Sequence, residues 1–325
     1  MPVNVVETTT GTGLPPTVPG AFNLEVYIGS VGNAPPLDPG YQGLAVLSPD
    51  GHTIDLISGA YAITDDGDTI TARGNNETIS GGSAFVNLIL DGNQDVANGG
   101  GLAGDYIEVN GTADTVYGGT GPEDVEVRGT ADVINAGSGN DTINVYSNGN
   151  TINGGSGADT INGFGTNETI NGGTGPDYIN AFGTGSVVNA DGGNDTVNTF
   201  SDGETVNGGS GSTTIGIYGN NSLVTGGSGP STVTVTGTND TVTAGTGNMT
   251  VGAWNSNFTF VDNGAALYDD TVMGFSNGGS NTVQLAAGDT VATANVSNGN
   301  TQVVLSDGSK ILLIGVTDIT GLFHH

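Results

Sequence analysis

The chain has 325 residues, including 60 glycines and no cysteine, and its 33 acidic side chains against three basic ones give a formal charge of −30. This charge excludes nucleic acid and anionic membrane surfaces as direct partners, because both are bound through lysine and arginine. The absence of cysteine excludes disulfides and thiolate catalysis. Cations are therefore the expected partners of the chain.

Residues 1–61 show no sequence period and contain eight of the eleven prolines. Short apolar runs at 24–28 and 44–47 predict a few strands, so we expect a small β-rich N-terminal cap that serves in assembly or adhesion. The first residues lack the basic and apolar regions of a signal peptide, and no run of about 18 apolar residues is present. We therefore expect export without an N-terminal signal peptide, and no membrane span.

Apolar residues recur every nine residues along the middle of the chain, weakly at Ile70, Ile79, Leu88 and Ala97 and strictly from Ile107 to Phe260. One extra residue near 98–101 interrupts the count. Fixed nine-residue periods with glycine-rich turns are typical of parallel β-solenoids. The sequence therefore predicts an all-β fold whose main part, residues 62–262, is a parallel β-solenoid (β-roll).

The repeat unit is eighteen residues, because nonapeptides with a glycine pair alternate with nonapeptides that lack one. Two half-turns per coil predict two sheets. Alternation along a strand directs the central Ile or Val of each Thr-Ile-Asn triplet inward and its neighbours outward, so Thr and Asn form external ladders. The asparagine ladder is expected to hydrogen-bond along the stack and comprises Asn135, Asn144, Asn153, Asn162, Asn171, Asn180, Asn189, Asn198 and Asn207.

Aromatic residues recur at one further position of the eighteen-residue unit. They predict either a stack that stabilises one edge or an exposed stripe that binds carbohydrate or another sheet. The column comprises Tyr146, Phe164, Phe182, Phe200, Tyr218 and Trp254.

The pattern changes after residue 262, where longer alternating runs begin at Asn281, Thr301 and Lys310. Residues 263–325 therefore predict a small antiparallel C-terminal β unit. Segments 269–276 and 307–319 resemble the C-terminal region of repeats-in-toxin proteins that are exported by type I secretion. This resemblance implies an extracellular or cell-surface location.

The glycine-pair nonapeptides follow the pattern Gly-Gly-x-Gly-x-Asp-x-U-x, where U is a large apolar residue. The match is complete at 154–162 and 172–180, lacks only the first glycine at 136–144, and is looser at 100–108, 118–126 and 190–198. The sequence here resembles the repeats-in-toxin family of calcium-binding β-rolls. The resemblance implies Ca²⁺ between successive coils, held by motif acids and glycine-turn carbonyls; the residues are Asp105, Glu123, Asp141, Gly155, Gly157, Asp159, Gly173, Gly175, Asp177 and Asp195.

Electrostatics supports the same assignment. Carboxylates at eighteen-residue spacing stack about 4.8 Å apart and repel by roughly 3 kcal/mol per pair at an effective dielectric of about 20. A hard cation with six to eight flexible oxygen ligands relieves this repulsion, which favours calcium over magnesium. The position becomes Thr213, Ser231 and Met249 in later coils, where calcium binding is expected to be weak or absent.

At the opposite edge the equivalent position lacks the glycine pair, and we assign no site there. Its residues are Asp114, Asp132, Asn150, Glu168, Ser186, Glu204, Ser222 and Asp240.

An enzyme is not expected, since the histidines His52, His324 and His325 have no recognisable catalytic spacing. An enzyme centred on residues 1–61 would have few residues to build a site. We expect a secreted, calcium-dependent structural or adhesive protein of a surface layer, filament or biofilm matrix. It would self-associate into a filament or sheet, with cell-surface polysaccharide as a further candidate partner. The alternative is ice binding through Thr-x-Asn ladders, although Tyr178, Val187 and Leu223 interrupt the threonine ranks.

Overall fold

The structure is a computed structural model that describes the strands at 3–8, 22–27, 43–46, 53–56 and 61–63, Gly67, and the ranges 69–254, 257–264, 268–275 and 280–325. It divides into two compact units, residues 1–161 and 162–325. Within the described ranges, all regular secondary structure is β-strand. Among these residues there is no helix with the length and apolar character that crossing a membrane requires.

The first unit contains fifteen short strands within the described residues. They are β1 (Val3–Thr8), β2 (Phe22–Tyr27), β3 (Gly43–Val46), β4 (Thr53–Leu56), β5 (Tyr61–Ile63), β6 (Thr69–Ala72), β7 (Thr78–Ser80), β8 (Asn87–Leu90), β9 (Val96–Asn98), β10 (Tyr106–Val109), β11 (Thr115–Gly119), β12 (Asp124–Val127), β13 (Val133–Ser138), β14 (Thr142–Val145) and β15 (Thr151–Ser156).

These strands form two parallel sheets, so the predicted β-solenoid is confirmed. One sheet runs β1-β2-β3-β5-β7-β9-β11-β13-β15, and the other runs β4-β6-β8-β10-β12-β14. Val125 pairs with Ile107 and with Ile143, so one coil corresponds to eighteen residues. Ala97 pairs with Ile79 and with Val116, which places the extra residue of the sequence after Ala97.

The boundary predicted between residues 61 and 62 is not a break in either sheet. β4 pairs with β6, and β5 pairs with β7, both in parallel. The predicted runs 24–28 and 44–47 overlap β2 and β3. A role of residues 1–61 in assembly or adhesion stays a prediction.

The second unit continues the same design. The strand β16 (Thr160–Gly163) crosses the boundary in the chain, and the strands that follow are β17 (Thr169–Thr174), β18 (Tyr178–Ala181), β19 (Val187–Asn189), β20 (Asn194–Thr199), β21 (Thr205–Asn207), β22 (Ser212–Ile217), β23 (Leu223–Thr225), β24 (Ser231–Val235), β25 (Thr241–Thr243), β26 (Met249–Ala253), β27 (Thr259–Val261), β28 (Asp269–Met273), β29 (Thr282–Gln284), β30 (Val291–Ser297), β31 (Asn300–Leu305), β32 (Lys310–Ile314) and β33 (Phe323–His324).

The C-terminal strands are only partly antiparallel, which corrects the prediction for residues 263–325. β30, β31 and β32 do form an antiparallel meander. However, β28 pairs in parallel with β26 and β32, and β29 pairs in parallel with β27 and β33. The meander is therefore attached to a solenoid that extends beyond residue 262.

The core is a stack of aliphatic side chains, as the alternation predicts. Ile107, Ile143, Ile152, Ile170 and Val206 are fully buried. Their neighbours within the same strands are more exposed, so each of these strands buries one face.

The outward asparagines hydrogen-bond to one another along the stack. In the first unit Nδ2 of Asn153 donates to Oδ1 of Asn135 at 2.8 Å. In the second unit Nδ2 of Asn189 donates to Oδ1 of Asn171 at 2.6 Å, and Nδ2 of Asn207 donates to Oδ1 of Asn189 at 2.7 Å. In the other sheet Nδ2 of Asn180 donates to Oδ1 of Asn162, and Nδ2 of Asn198 donates to Oδ1 of Asn180. The predicted asparagine ladder is therefore a structural element of both sheets.

Substituting Ile143 by Ala is expected to lower the free energy of unfolding by about 2–5 kcal/mol, because it leaves a cavity between the two sheets. Thr142→Ala, on the exposed face of β14, is the matched control and should change it by about 0.5 kcal/mol or less. Urea unfolding at saturating calcium measures both, and equal effects would contradict the assigned core.

Candidate metal centre

The predicted acidic ligands lie at one corner of the coils, after a glycine turn and at the start of a strand. Asp105, Glu123 and Asp141 directly precede β10, β12 and β14, and Asp195 is the second residue of β20. All six side chains are at most 3% exposed. We call them the motif column: Asp105, Glu123, Asp141 and Asp159 in the first unit, and Asp177 and Asp195 in the second.

Carboxylates of the motif column reach back to the preceding coil and accept a hydrogen bond from its backbone. The amide of Asp105 donates to Oε2 of Glu123 at 2.7 Å, and the amide of Glu123 donates to Oδ1 of Asp141 at 2.8 Å. In the second unit the amide of Asp177 donates to Oδ1 of Asp195 at 3.0 Å. One oxygen of each acceptor is thus fixed by the backbone.

The other oxygen of these acceptors is buried and forms no hydrogen bond. This holds for Oδ2 of Asp105, Asp141 and Asp195 and for Oε1 of Glu123. A buried polar atom without a partner costs about 1–3 kcal/mol, and more when it is charged. These carboxyls therefore need a proton or a cation.

The glycine turns have the backbone that the motif requires. Gly155 and Gly157 have φ values of +107° and +147°, and Gly173 and Gly175 have values of +106° and +142°. Residues with a Cβ rarely adopt this conformation. The predicted glycines are therefore required by the turn itself.

The same turns bring carbonyl oxygens to the motif column. An ideal Cβ at Gly139 would stand 1.9 Å from the carbonyl oxygen of Gly121 and 2.7 Å from Oδ1 of Asp141. At Gly99 it would stand 2.0 Å from the carbonyl oxygen of Gly118 and 2.7 Å from Oδ2 of Asp105. Carboxylate and carbonyl oxygens of neighbouring coils therefore converge at this corner.

Burial makes negative charge unfavourable in the motif column. It raises the pKa of Asp105 and of Asp141 to about 6, and that of Glu123 to about 8, where the carboxyls of Asp105 and Asp141 add to the shift. It also raises the pKa of Asp159 and Asp195. A bound cation would reverse this preference.

The donor set fits a hard divalent cation. Within the described residues, no three His, Cys, Asp or Glu side chains converge on one point. Backbone carbonyls must therefore complete any coordination shell, as calcium allows with its six to eight oxygen ligands. The motif column and the glycine turns would hold the ion, which would supply the positive charge that the corner lacks.

The family comparison agrees with this geometry. The sequence matches the family described as RTX calcium-binding nonapeptide repeat (4 copies) over residues 128–161 and again over residues 146–179. Residues 128–179 are RTX calcium-binding repeats. Calcium is the cofactor of these repeats, which confirms the prediction from the glycine-pair motif.

No curated protein matches the chain. The chain is similar to the crystal structure of extracellular lipase LipA from Serratia marcescens, with 16% identity and a TM-score of 0.25 over 68% of this chain and 40% of the lipase. The chain thus spans less than half of that lipase.

The motif column loses its carboxylates after Asp195. Oγ1 of Thr213 donates to the carbonyl oxygen of Gly208 at 2.6 Å. This carbonyl oxygen of the glycine turn therefore accepts a hydrogen bond from the side chain that replaces the motif carboxylate. Met249 places its terminal methyl over Gly226, 2.1 Å from where a Cβ would stand. Weak or absent calcium binding in these coils stays a prediction.

Sequence reasoning missed one acid at this corner. The amide of Met249 donates to Oδ1 of Asp270 at 2.8 Å, so Asp270 takes the position that the motif acids hold in earlier coils. It lies 21 residues after Met249, whereas the repeat predicts 18. The preceding Asp269 and the following Thr-Val pair of β28 are the only sequence signal for it.

The opposite corner holds a second set of buried acceptors, which begins earlier than predicted. We call it the opposite column: Glu77, Asp95, Asp114, Asp132 and Asn150 in the first unit, and Glu168, Ser186, Glu204, Ser222 and Asp240 in the second. The amide of Glu77 donates to Oδ1 of Asp95 at 2.8 Å, and that of Ser222 donates to Oδ1 of Asp240 at 2.8 Å. Glu77 and Asp95 were missed because an isolated acid in an ordinary turn resembles a solvated one.

The aromatic column forms a stack in the second unit. The ring centroids of Phe164, Phe182, Phe200 and Tyr218 are 4.8, 4.7 and 5.1 Å apart, with nearly parallel planes. The rings cover one another's faces, so their edges provide the exposed surface. Because sugars stack on ring faces, this geometry supports the stabilising role over the carbohydrate-binding one.

Asp141→Asn is expected to weaken calcium binding and to lower the number of ions bound per chain. The amide oxygen of Asn still accepts the hydrogen bond from Glu123, so the loss reports on charge rather than on folding. Ser231→Ala, in a coil without a motif carboxylate, is the control and should leave the stoichiometry unchanged. Equilibrium dialysis against calcium measures both, and an unchanged count for Asp141→Asn would remove it from the site.

Proposed function

We propose that this protein is a secreted structural or adhesive component of a bacterial surface layer, extracellular filament or biofilm matrix. The observation that carries the proposal is the motif column, where Asp105, Glu123 and Asp141 are buried with an unbonded oxygen. Calcium would act as a folding switch rather than as a catalytic metal.

Calcium linkage explains how such a chain could leave the cell and then become rigid. Self-repulsion at a formal charge of −30 opposes compaction when calcium is scarce. Extracellular calcium modules bind at about 10⁻⁴ to 10⁻³ M, so folding would follow export. The type I secretion-like segments 269–276 and 307–319 support this route.

Self-association is supported by the edge strand β30. It lies at the end of its sheet, contains no charged residue, and has six of its seven residues exposed. An exposed, uncharged edge presents backbone groups that can pair with another chain. The proposal therefore includes growth into a filament or sheet.

The proposal includes no enzymatic activity. His52 lies outside the described residues, while His324 and His325 are exposed. Cell-surface polysaccharide remains a candidate attachment partner.

A calcium titration followed by circular dichroism tests the folding switch. Full-length protein in chelator should lack most of its β signal and should gain it cooperatively as calcium rises, because binding energy is folding energy here. Magnesium at the same concentration is the control and should be much less effective. Complete β structure in chelator would refute the mechanism.

Electron microscopy tests assembly through β30. Val296→Lys, on the exposed edge strand, should reduce calcium-dependent filaments or sheets, because an edge lysine opposes strand pairing. Leu223→Lys also places a lysine at an exposed apolar position, but in a strand that is paired on both sides, and should leave assembly intact. If filaments or sheets still form with Val296→Lys, the chains do not associate through β30 and the contact lies on another surface.

Ice binding is the second candidate, and one threonine rank favours it. The sheet pairings place Thr196, Thr214, Thr232, Thr250 and Thr271 side by side without interruption. None of these side chains is buried. Thermal hysteresis of the calcium-loaded protein tests ice binding. If no hysteresis is measured, ice binding is refuted and the structural or adhesive role is retained.

A further inference from the structure

The opposite column lies at turns without a glycine pair, and its carboxyls in the first unit are almost fully buried. Glu77, Asp95, Asp114 and Asp132 are at most 1% exposed. The amide of Asp95 donates to Oδ1 of Asp114 at 2.8 Å, and the amide of Asp114 donates to Oδ1 of Asp132 at 2.9 Å. Oδ2 of each of these three aspartates is buried without a hydrogen-bond partner.

The second oxygen of these aspartates faces a backbone carbonyl of the preceding coil. An ideal Cβ at Gly92 would stand 1.5 Å from the carbonyl oxygen of Gly74 and 2.6 Å from Oδ2 of Asp95. At Gly111 it would stand 1.4 Å from the carbonyl oxygen of Gly92 and 2.6 Å from Oδ2 of Asp114. Two acceptor oxygens thus converge, which is repulsive unless a hydrogen or a cation lies between them.

The contact at Asp132 has the same form. An ideal Cβ at Gly129 would stand 2.0 Å from the carbonyl oxygen of Gly111 and 2.6 Å from Oδ2 of Asp132. Three successive coils therefore repeat one arrangement.

Asn150 shows which chemistry this position takes in the next coil. Its Oδ1 accepts a hydrogen bond from the amide of Asp132 at 2.9 Å, as the aspartates do for the coils before them. Its Nδ2 donates to the carbonyl oxygen of Gly129 at 3.3 Å. The position thus uses a side chain that accepts on one atom and donates on the other. A neutral carboxylic acid does both, and a carboxylate cannot donate.

A calcium ion fits this corner poorly. It needs six to eight oxygens, and the turns of this corner lack the glycine pair that belongs to the calcium-binding nonapeptides of the motif column. Ser186 and Ser222 take the same backbone-accepting role in the second unit, at 3.3 Å from the amides of Glu168 and Glu204. Uncharged side chains in this column therefore accept the backbone hydrogen bond without needing a metal ion to balance a negative charge.

We infer that Asp95, Asp114 and Asp132 are proton-binding sites. Each is held as a neutral acid whose Oδ2–H donates to the carbonyl of Gly74, Gly92 or Gly111, while Oδ1 accepts an amide of the coil before it. Alkaline pH removes these protons to solvent and leaves two acceptor oxygens facing each other. In the first unit, the opposite column thus binds protons, whereas the motif column at the other corner binds calcium.

The surrounding charges agree with this assignment. Burial is the largest cause that raises the pKa of Asp114 to about 7 and of Asp132 to about 6, and it also raises the pKa of Asp95. The carboxyls that act on Asp114 are Asp95 and Asp132. Glu77, the next member of the column, has its pKa raised to about 7, first by burial and further by Asp95.

The two arginines of the first unit form ion pairs with other acids. Arg73 lies 4.0 Å from Asp91 in an exposed pair. Arg128 is exposed and contacts Glu108 and Glu126. Neither arginine contributes to the shifts of Asp95, Asp114 or Asp132.

The sign of the pH effect follows from the raised values. The folded chain binds these protons more tightly than the unfolded chain, so their stabilisation is complete below the ordinary aspartate pKa of about 4. For Asp132 and Asp114 it is lost as pH rises through about 6 and about 7, respectively, and for Asp95 it is lost above the ordinary aspartate pKa because burial raises its pKa as well. Between the unfolded pKa of about 4 and its own folded pKa, each such carboxyl raises the unfolding equilibrium constant about tenfold per pH unit.

The test compares the wild type with the triple variant Asp95→Asn, Asp114→Asn, Asp132→Asn in full-length, calcium-saturated protein. Urea unfolding is measured from pH 5 to pH 8, together with calcium bound per chain. The ratio of the wild-type to the variant unfolding constant should rise at least tenfold between pH 5 and pH 7, with bound calcium unchanged. The control variant Asp91→Asn, Asp124→Asn, Glu126→Gln removes three charges at less buried positions and should show no comparable rise.

A pH-independent ratio, or a triple variant that is less stable at pH 8, would overturn the inference. Fewer bound calcium ions would also overturn it and would assign a cation to the column. Asn150→Asp provides the reverse test if the triple variant does not fold. It should destabilise the wild-type chain at pH 8 and much less at pH 5, and an equal loss at both pH values would contradict a proton at this position.

Discussion

The burial of negative charge is the constraint on which this structure depends. A thin solenoid of Ile and Val covers its corners with carboxyls such as Asp105 and Asp114, which are almost inaccessible to solvent. Each accepts a backbone amide from the coil before it, so the same group that holds neighbouring coils together is unfavourable when ionised. The fold is therefore complete only together with small cations, Ca²⁺ at one corner and, as we infer, H⁺ at the other.

The two corners differ in their turns rather than in their acids. At the motif column, the glycines allow backbone carbonyls to approach the carboxylates, as at Gly139 and Asp141. Several of these glycines, such as Gly155 and Gly157, have positive φ. At the opposite column the turns lack the glycine pair, and a carbonyl of the preceding coil lies near Oδ2 of Asp95, Asp114 or Asp132. A glycine pair thus distinguishes a site for a metal from a site for a hydrogen bond.

Fixed spacing explains what the sequence could predict. The aliphatic core, the asparagine ladder and the six motif acids recur every eighteen residues, so their positions followed from counting. The count fails where the coils lengthen: Met249 and Asp270 are 21 residues apart, and Phe258 and Asn281 are 23 apart. The parallel pairing of β28 and β29 was therefore missed. The hydrogen of a buried acid was not predictable either, because it depends on the carbonyl opposite Asp114 and not on spacing.

The extra residue after Ala97 shows how such a chain can change in length. Asp95 and Asp114 are 19 residues apart, one more than Glu77 and Asp95, yet both pairs keep an amide-to-carboxyl bond of 2.8 Å. The turn absorbs the insertion, whereas one residue added within a strand would exchange its inner and outer faces. Insertions and deletions are therefore tolerated at the corners and opposed in the sheets, and a repeat protein of this kind can gain or lose turn residues during evolution while its ion columns stay aligned.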